Sequence, residues 1–278
     1  YTTIAYYRSG TPDGERPGAY YINTYAPDTR PRHEAEVLAF HESIPGHHLQ
    51  IALAQELPEI PMFRRYMGQT VFVEGWALYT ERLAEEMGLY TSDVDRLGML
   101  SFDAWRASRL VVDTGIHAKR WSRDKAIQWF ATTNGSTVEE VSGEVDRYCA
   151  WPGQACGYKV GHSTINRLRE RTKQALGPAY DFKGFNDAVV TGGGVPMTVL
   201  EANIDRYIAA LKDVKARLSE ASLGGDFDYA NRIRGSIPRD AKGFIHALHE
   251  VLVQAEDRPG VIAEIGRVLG EAGLNIND

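Results

Sequence analysis

Phe40-His41-Glu42-Ser43-Ile44-Pro45-Gly46-His47-His48-Leu49-Gln50 is the stretch on which the reading of this chain turns. Three imidazoles and a carboxylate fall within the eight residues from His41 to His48. A catalytic zinc site draws two imidazoles from one helix, with a Glu beside the first as general base. Here His47 and His48 follow His41 by six and seven residues. On an unbroken helix, six residues leave two rings about 120° apart, and seven bring them nearly into line. The helix is not expected to be unbroken. Pro45 cannot donate to the carbonyl of His41 and crowds it, and Gly46 accepts unusual dihedrals. A local bulge at Pro45-Gly46 would return His47 to the position of a second ligand. Spacing alone leaves His47 and His48 equal.

A third ligand is expected from another helix. Val73-Glu74-Gly75-Trp76-Ala77-Leu78-Tyr79-Thr80-Glu81 offers Glu74 inside an apolar stretch. An unpaired carboxylate there is costly to bury, and coordinating a cation would offset that cost. Two His, one Glu and an open position for water describe a catalytic rather than a structural site. Glu42 would then take a proton from the activated water. The plainer alternative is a solvated polar helix face, with a turn histidine after Pro45-Gly46.

Composition narrows the classes. The 278 residues are 43% hydrophobic and 24% charged, a globular balance that excludes wholesale disorder. With 37 acidic against 31 basic residues the net charge is −6, without the basic footprint of a nucleic-acid partner. No apolar run approaches the roughly 20 residues of a membrane span. Cys149 and Cys156 are too few for a disulfide framework and lack zinc-finger spacing. They could pair in an oxidising compartment or remain buried thiols. The chain opens at Tyr1 without a signal peptide or lipid-attachment cysteine, and it stops at Asp278 after an apolar stretch. Both ends read as cut, which leaves cytoplasm and periplasm equally open.

Periodicity predicts a mainly α protein. Ala19 to Asn23 reads as a short strand, and His33 to Gln55 as helix interrupted at Pro45-Gly46. Further helices are expected over Phe63–Met87, Val94–Ala118, Asp124–Thr132, Val138–Tyr148, Tyr158–Leu176 and Met197 to about Leu218.

Several separate motifs resemble the domain-of-unknown-function 885 family. They are Arg16-Pro17-Gly18-Ala19-Tyr20-Tyr21-Ile22-Asn23, the stretch from His41 to Gln50, and Glu74-Gly75-Trp76-Ala77-Leu78-Tyr79. Val112-Asp113-Thr114-Gly115-Ile116-His117-Ala118, Pro152-Gly153-Gln154-Ala155-Cys156-Gly157-Tyr158-Lys159-Val160-Gly161 and Gly194-Val195-Pro196-Met197-Thr198-Val199-Leu200-Glu201 follow in order. The resemblance spans residues 1 to about 210. It implies a helical protein similar to gluzincin metallopeptidases, with a distant likeness to carboxypeptidase Taq. It also implies a longer family chain, of which residues 1–210 would be the C-terminal portion of a metallohydrolase. By that resemblance His41, His47 and Glu74 are zinc ligands and Glu42 is the general base. It favours His47 over His48, because the family pattern places its histidine directly after Pro-Gly. Asn186 departs from the pattern, which has His between Phe185 and Asp187.

Peptide hydrolysis also needs a donor for the tetrahedral oxyanion. Tyr158 is the expected one, since a phenol donates without carrying charge and it follows a Gly-rich turn. His117 and Lys159 are weaker candidates for oxyanion or substrate contact.

The tail has another texture. Val251-Leu252-Val253-Gln254-Ala255 reads as a strand, Asp257-Arg258-Pro259-Gly260 as a turn and Val261 to Ala272 as an amphipathic helix before Leu274-Asn275-Ile276. This resembles the opening of an ACT domain, a ferredoxin-like βαββαβ module that binds amino acids across a dimer interface. Asn231-Arg232-Ile233-Arg234 and Ile237-Pro238-Arg239 resemble the linker before that domain in bacterial prephenate dehydrogenases. No strand-Gly-x-Gly-x-x-Gly-helix accompanies it, so no dehydrogenase activity is expected. A lone β-α unit cannot bury both faces, and the tail would need self-association for stability.

The expected organisation is a metallohydrolase portion over 1–210, a helical linker over 211–245 and a partial α+β ACT-like module over 246–278. A composite chain with a seam between about Ala209 and Gly225 is expected ahead of a natural regulatory fusion. The expected function is zinc-dependent hydrolysis of a peptide or another small amide or ester. The alternatives are amino-acid sensing through the tail, or a portion that retains the ligands without activity.

Overall fold

The structure is a computed structural model that describes residues 4–224. Among them the chain is mainly helical with one small sheet. Strands β1 (Ala5–Arg8) and β2 (Ala19–Ile22) pair antiparallel, with Ala5 opposite Ile22 and Arg8 opposite Ala19. Tyr6 and Tyr21 are therefore cross-strand neighbours, and their rings stack 5.1 Å apart. Then follow α1 (Ala35–Glu42), α2 (His47–Glu56), α3 (Met62–Tyr66), α4 (Thr70–Glu86), α5 (Asp93–His117), α6 (Arg123–Asn134) and α7 (Val138–Ala150). Helices α8 (Gly157–Leu176), α9 (Phe182–Val190) and α10 (Met197–Gly224) complete the described chain.

Side-chain caps explain several boundaries. Ser92, Ser122 and Thr137 accept from the backbone N–H three residues on, opening α5, α6 and α7. Gly135 stops α6 in the left-handed region at φ 68°.

Two expected helices are split. The stretch expected as one bulged helix is two, α1 and α2, separated by Ser43–Gly46. The helix expected over Phe63–Met87 breaks between Tyr66 and Thr70. There the Arg64 carbonyl, which a continuing helix would bond to Gly68, accepts instead from the Gly194 N–H at 2.8 Å. A contact 130 residues away in sequence ends that helix. Helix α9 has no counterpart among the expected helices. Helix α10 runs uninterrupted to Gly224, and the expected β-α-β tail lies outside the described residues.

The chain divides into two compact units, and the division falls inside α8 and α10. One holds residues up to 168 together with 190–200. Its α4 is buried at every position from Gly75 to Glu81, as a helix inside a core must be. Val37, Leu38, Met99 and Phe102 form one apolar cluster with Ala5. Val112, Phe130, Val141, Val145 and Tyr148 form another, lined by Trp105 and Trp121. Among the described residues, the second unit holds 169–189 and 201–224. In it Arg171 bridges Glu201 and Asp205 of α10 at 3.1 and 2.8 Å.

Two ionisable groups in the first unit, buried His162 and half-buried Glu144, weaken the fold on acidification. Burial, then the nearby Lys159 charge, pushes His162 down to about 4, and Asn166 donates to its Nε2 at 2.8 Å. Burial opposes ionisation of Glu144, but Arg109 and Arg147 overcome it and hold the carboxyl at about 2. Both pKa values are depressed in the folded state, so both contributions are complete above the unfolded values and lost on acidification. His162 acts from about pH 6.5 down to 4 and Glu144 from about 4.5 down to 2. Burial pushes Glu34 up to about 7, and that group titrates with the opposite sign over the same range. The His162 contribution, on the order of 3 kcal/mol, is therefore read as the difference between wild type and His162→Gln in denaturant unfolding of the metal-free chain between pH 7 and 4. Parallel pH profiles for the two chains would contradict it.

Candidate metal centre

The loop between α1 and α2 is held by backbone crowding and one indole. A Cβ on Gly46 would lie 1.9 Å from the His41 carbonyl oxygen and 2.4 Å from that of Phe40. Trp76 of α4 donates its indole N–H to the Pro45 carbonyl at 2.9 Å. Helix α2 therefore starts at His47 directly beneath the end of α1, and the His41 and His47 rings meet edge to face at 4.7 Å. Glu74 reaches both: its Oε2 is 3.6 Å from His41 Nε2 and 3.3 Å from His47 Nε2. One ligand atom from each of the three residues lies within 4.8 Å of the others, in the one such cluster among the described residues.

The surroundings are dry. His41 and His47 are buried, and Glu74 Oε2 is sealed from solvent without a hydrogen-bond donor. Burial raises the Glu74 pKa, but the two histidines reverse this and hold the carboxyl far below its usual range. Burial disfavours protonated His41, but Glu74 and Glu81 carry its pKa up to about 9. A buried carboxylate oxygen facing two imidazole nitrogens at 3.3 and 3.6 Å has the donor chemistry of a divalent-cation site. These donors suit zinc, so the residues fit the ion that the resemblance implies.

Glu42, the last residue of α1, is 8% exposed, and its carboxylate makes no hydrogen bond or ion pair with a described residue. Burial, then the Glu42 charge, raises the Tyr20 phenol of β2 to about 12.

Tyr158 arrives through a glycine crossing. A Cβ on Gly161 of α8 would sit 2.0 Å from the Val71 carbonyl oxygen, and one on Gly75 of α4 would sit 2.5 Å from Gly161 Cα. With backbone on backbone, the first turn of α8 lies beside Glu74, and the Tyr158 ring stacks over His41 at 6.2 Å. Arg109 of α5 packs on the same ring at 4.5 Å. Burial, then the Glu74 charge, raises the Tyr158 pKa and keeps the phenol protonated.

Family comparison adds to this geometry. The model of DUF885, bacterial proteins of unknown function, matches residues 1–204. The chain belongs to the DUF885 family. A second model, the ACT domain, matches residues 249–278 of this DUF885 chain. A candidate lipoprotein from Colwellia psychrerythraea is similar in structure, with a TM-score of 0.73 and 42% identity over 75% of this chain and 36% of that one. A candidate lipoprotein of unknown function from Shewanella oneidensis gives 0.60 and 25% over 72% and 39%. The DUF885 chain thus spans little more than a third of these solved relatives. No curated protein matches it significantly.

The other expected residues sit elsewhere. His48, one residue past His47, shares a hydrogen bond between its Nδ1 and the Tyr7 hydroxyl of β1, 3.0 Å away. His117, expected near substrate, instead ends α5 with Nε2 3.0 Å from the Tyr148 carbonyl, and it is not in the His41–His47–Glu74 cluster. Its motif matters through Asp113, whose carboxylate accepts from the Gly153 N–H at 3.0 and 3.2 Å and ties the turn before α8 to α5. Lys159 pairs with Asp103 of α5. Asn186 belongs to the second unit and donates to the Phe182 carbonyl at 2.9 Å. Cys149 and Cys156 are both free, and Cys149 is exposed rather than buried. Burial, with the Asp113 charge, lifts the Cys156 thiol to about 11. Among the described residues no helix is long and apolar enough to cross a membrane.

Sequence reasoning gave no role to Glu81, Arg106 and Arg109. Glu81 carried a signal, since it lies seven residues beyond Glu74 on the same apolar helix. The two arginines carried none, because nothing local distinguishes them from a solvated helix face.

Proposed function

We propose that this chain carries the metal centre of a zinc-dependent hydrolase acting on peptides or related amides and esters. The observation that supports this best is the convergence of His41, His47 and Glu74, whose ligand atoms all lie within 4.8 Å of one another. The donor set is that of gluzincin-type metallopeptidases, and the proposal includes that relationship. A zinc ion held there supplies Lewis acidity toward a carbonyl oxygen and toward water. The protein supplies the rest. His41 and His47 present Nε2 lone pairs, and Glu74 presents a carboxylate kept ionised by its neighbours. Glu42, unpaired and adjacent in sequence to His41, accepts the proton of the attacking water and returns it to the leaving group. Tyr158, protonated and stacked over His41, donates a hydrogen bond to the developing oxyanion.

Elemental analysis of the purified chain tests the centre. One zinc per chain is expected. His41→Ala and His47→Ala should each weaken binding by more than about 100-fold, because loss of a ligand exceeds loss of its supporting contacts. His48→Ala should retain zinc, since His48 is engaged with Tyr7. Zinc-free wild type, or unchanged affinity after His41→Ala, would sink the reading.

A further inference from the structure

Resting on that metal centre, we infer that Glu81 is a positioning residue that fixes the ring of His41 for metal binding and is itself paired with Arg106. His41 Nδ1 lies 2.7 Å from Glu81 Oε1. A carboxylate only accepts, so Nδ1 carries the proton and the Nε2 lone pair is left for a cation. Helix geometry makes this arrangement available. Residues seven apart on a helix return to within about 20° of the same direction, two turns along. Glu74 and Glu81 therefore project from one side of α4, and the His41 ring lies between them, Nε2 toward Glu74 and Nδ1 toward Glu81.

Glu81 is fully buried, which as a lone anion would be strongly unfavourable. Arg106 of α5 answers it, with Nη2 at 3.6 Å and its guanidinium packed on the Phe102 ring at 4.3 Å. Arg106 is itself buried. The chain of contacts runs from α5 through α4 to α1 and ends on the imidazole. A purely structural ion pair would have no need of the histidine.

Two double variants isolate the hydrogen bond from the ion pair. Glu81→Met with Arg106→Met removes both charges at similar volume and leaves Nδ1 without an acceptor. Glu81→Gln with Arg106→Met restores an acceptor without restoring charge. Zinc affinity by chelator competition should fall about 10–100-fold in the first and recover most of that loss in the second. In the zinc-loaded wild type, proton NMR should show a slowly exchanging His41 Nδ1–H, absent from the first variant. Equal affinities in two folded double variants would overturn the inference. Should the Met variant not fold, a missing Nδ1–H in the zinc-loaded wild type overturns it equally. A wild type that binds no zinc refutes the metal centre and this inference together. Wild-type binding that both double variants retain refutes the positioning role alone.

Discussion

Replacing Glu42 with glutamine is expected to lower hydrolysis of an amide or ester substrate by about 10²–10⁴-fold while zinc content stays unchanged. The two side chains match in size, and no hydrogen bond or ion pair of Glu42 to a described residue is lost in the exchange. What disappears is the capacity to accept a proton. The residue is 8% exposed and ends α1 one position after His41. Single-turnover rates and zinc stoichiometry, measured on the same preparation, separate the two functions. Retained activity in Glu42→Gln would assign the base elsewhere. Loss of zinc together with activity would make Glu42 a structural support instead.

Gly46→Ala should cause the largest loss of stability, about 3 kcal/mol or more. Its φ of −77° lies outside the left-handed region, so the cost expected here is not that of a positive φ. It is steric. The new methyl would meet the carbonyl oxygens of His41 and Phe40 at 1.9 and 2.4 Å, and backbone atoms at the end of a helix cannot swing aside as a flexible side chain can. Relief requires moving α2 away from α1, which separates His47 from His41. Weaker zinc binding should therefore accompany the lower denaturation midpoint. Gly68→Ala is the control: a Cβ there meets nothing within 4 Å, so its midpoint should stay close to the wild type. Matching midpoints for the two variants would refute the crowding account.

The His41–His47–Glu74 cluster was legible because its residues are chemically conspicuous. Histidines around a Pro-Gly step and a carboxylate inside an apolar helix stand out by residue type and spacing alone. Caps were legible for the same local reason, as at Ser92, Ser122 and Thr137. Less legible was the choice between His47 and His48. Periodicity assumes a continuous helix, and α1 and α2 are separate. Their separation depends on the Trp76 indole holding the Pro45 carbonyl from another helix. The motif that carries His117 also carries Asp113, a carboxylate that holds a turn in place.

By itself, then, the sequence determined a mainly helical chain, the DUF885 membership and the candidates His41, the His47-His48 pair and Glu74, since each depends on residue type and local spacing. Tertiary structure decided which histidine of the pair faces Glu74, where the helices break and which buried groups stand behind the ligands. Those depend on contacts between residues far apart in sequence: Gly194 with Arg64, Gly75 with Gly161, and Arg106 with Glu81. No local pattern encodes such pairs, because each partner becomes distinctive only once the helices that carry them are packed.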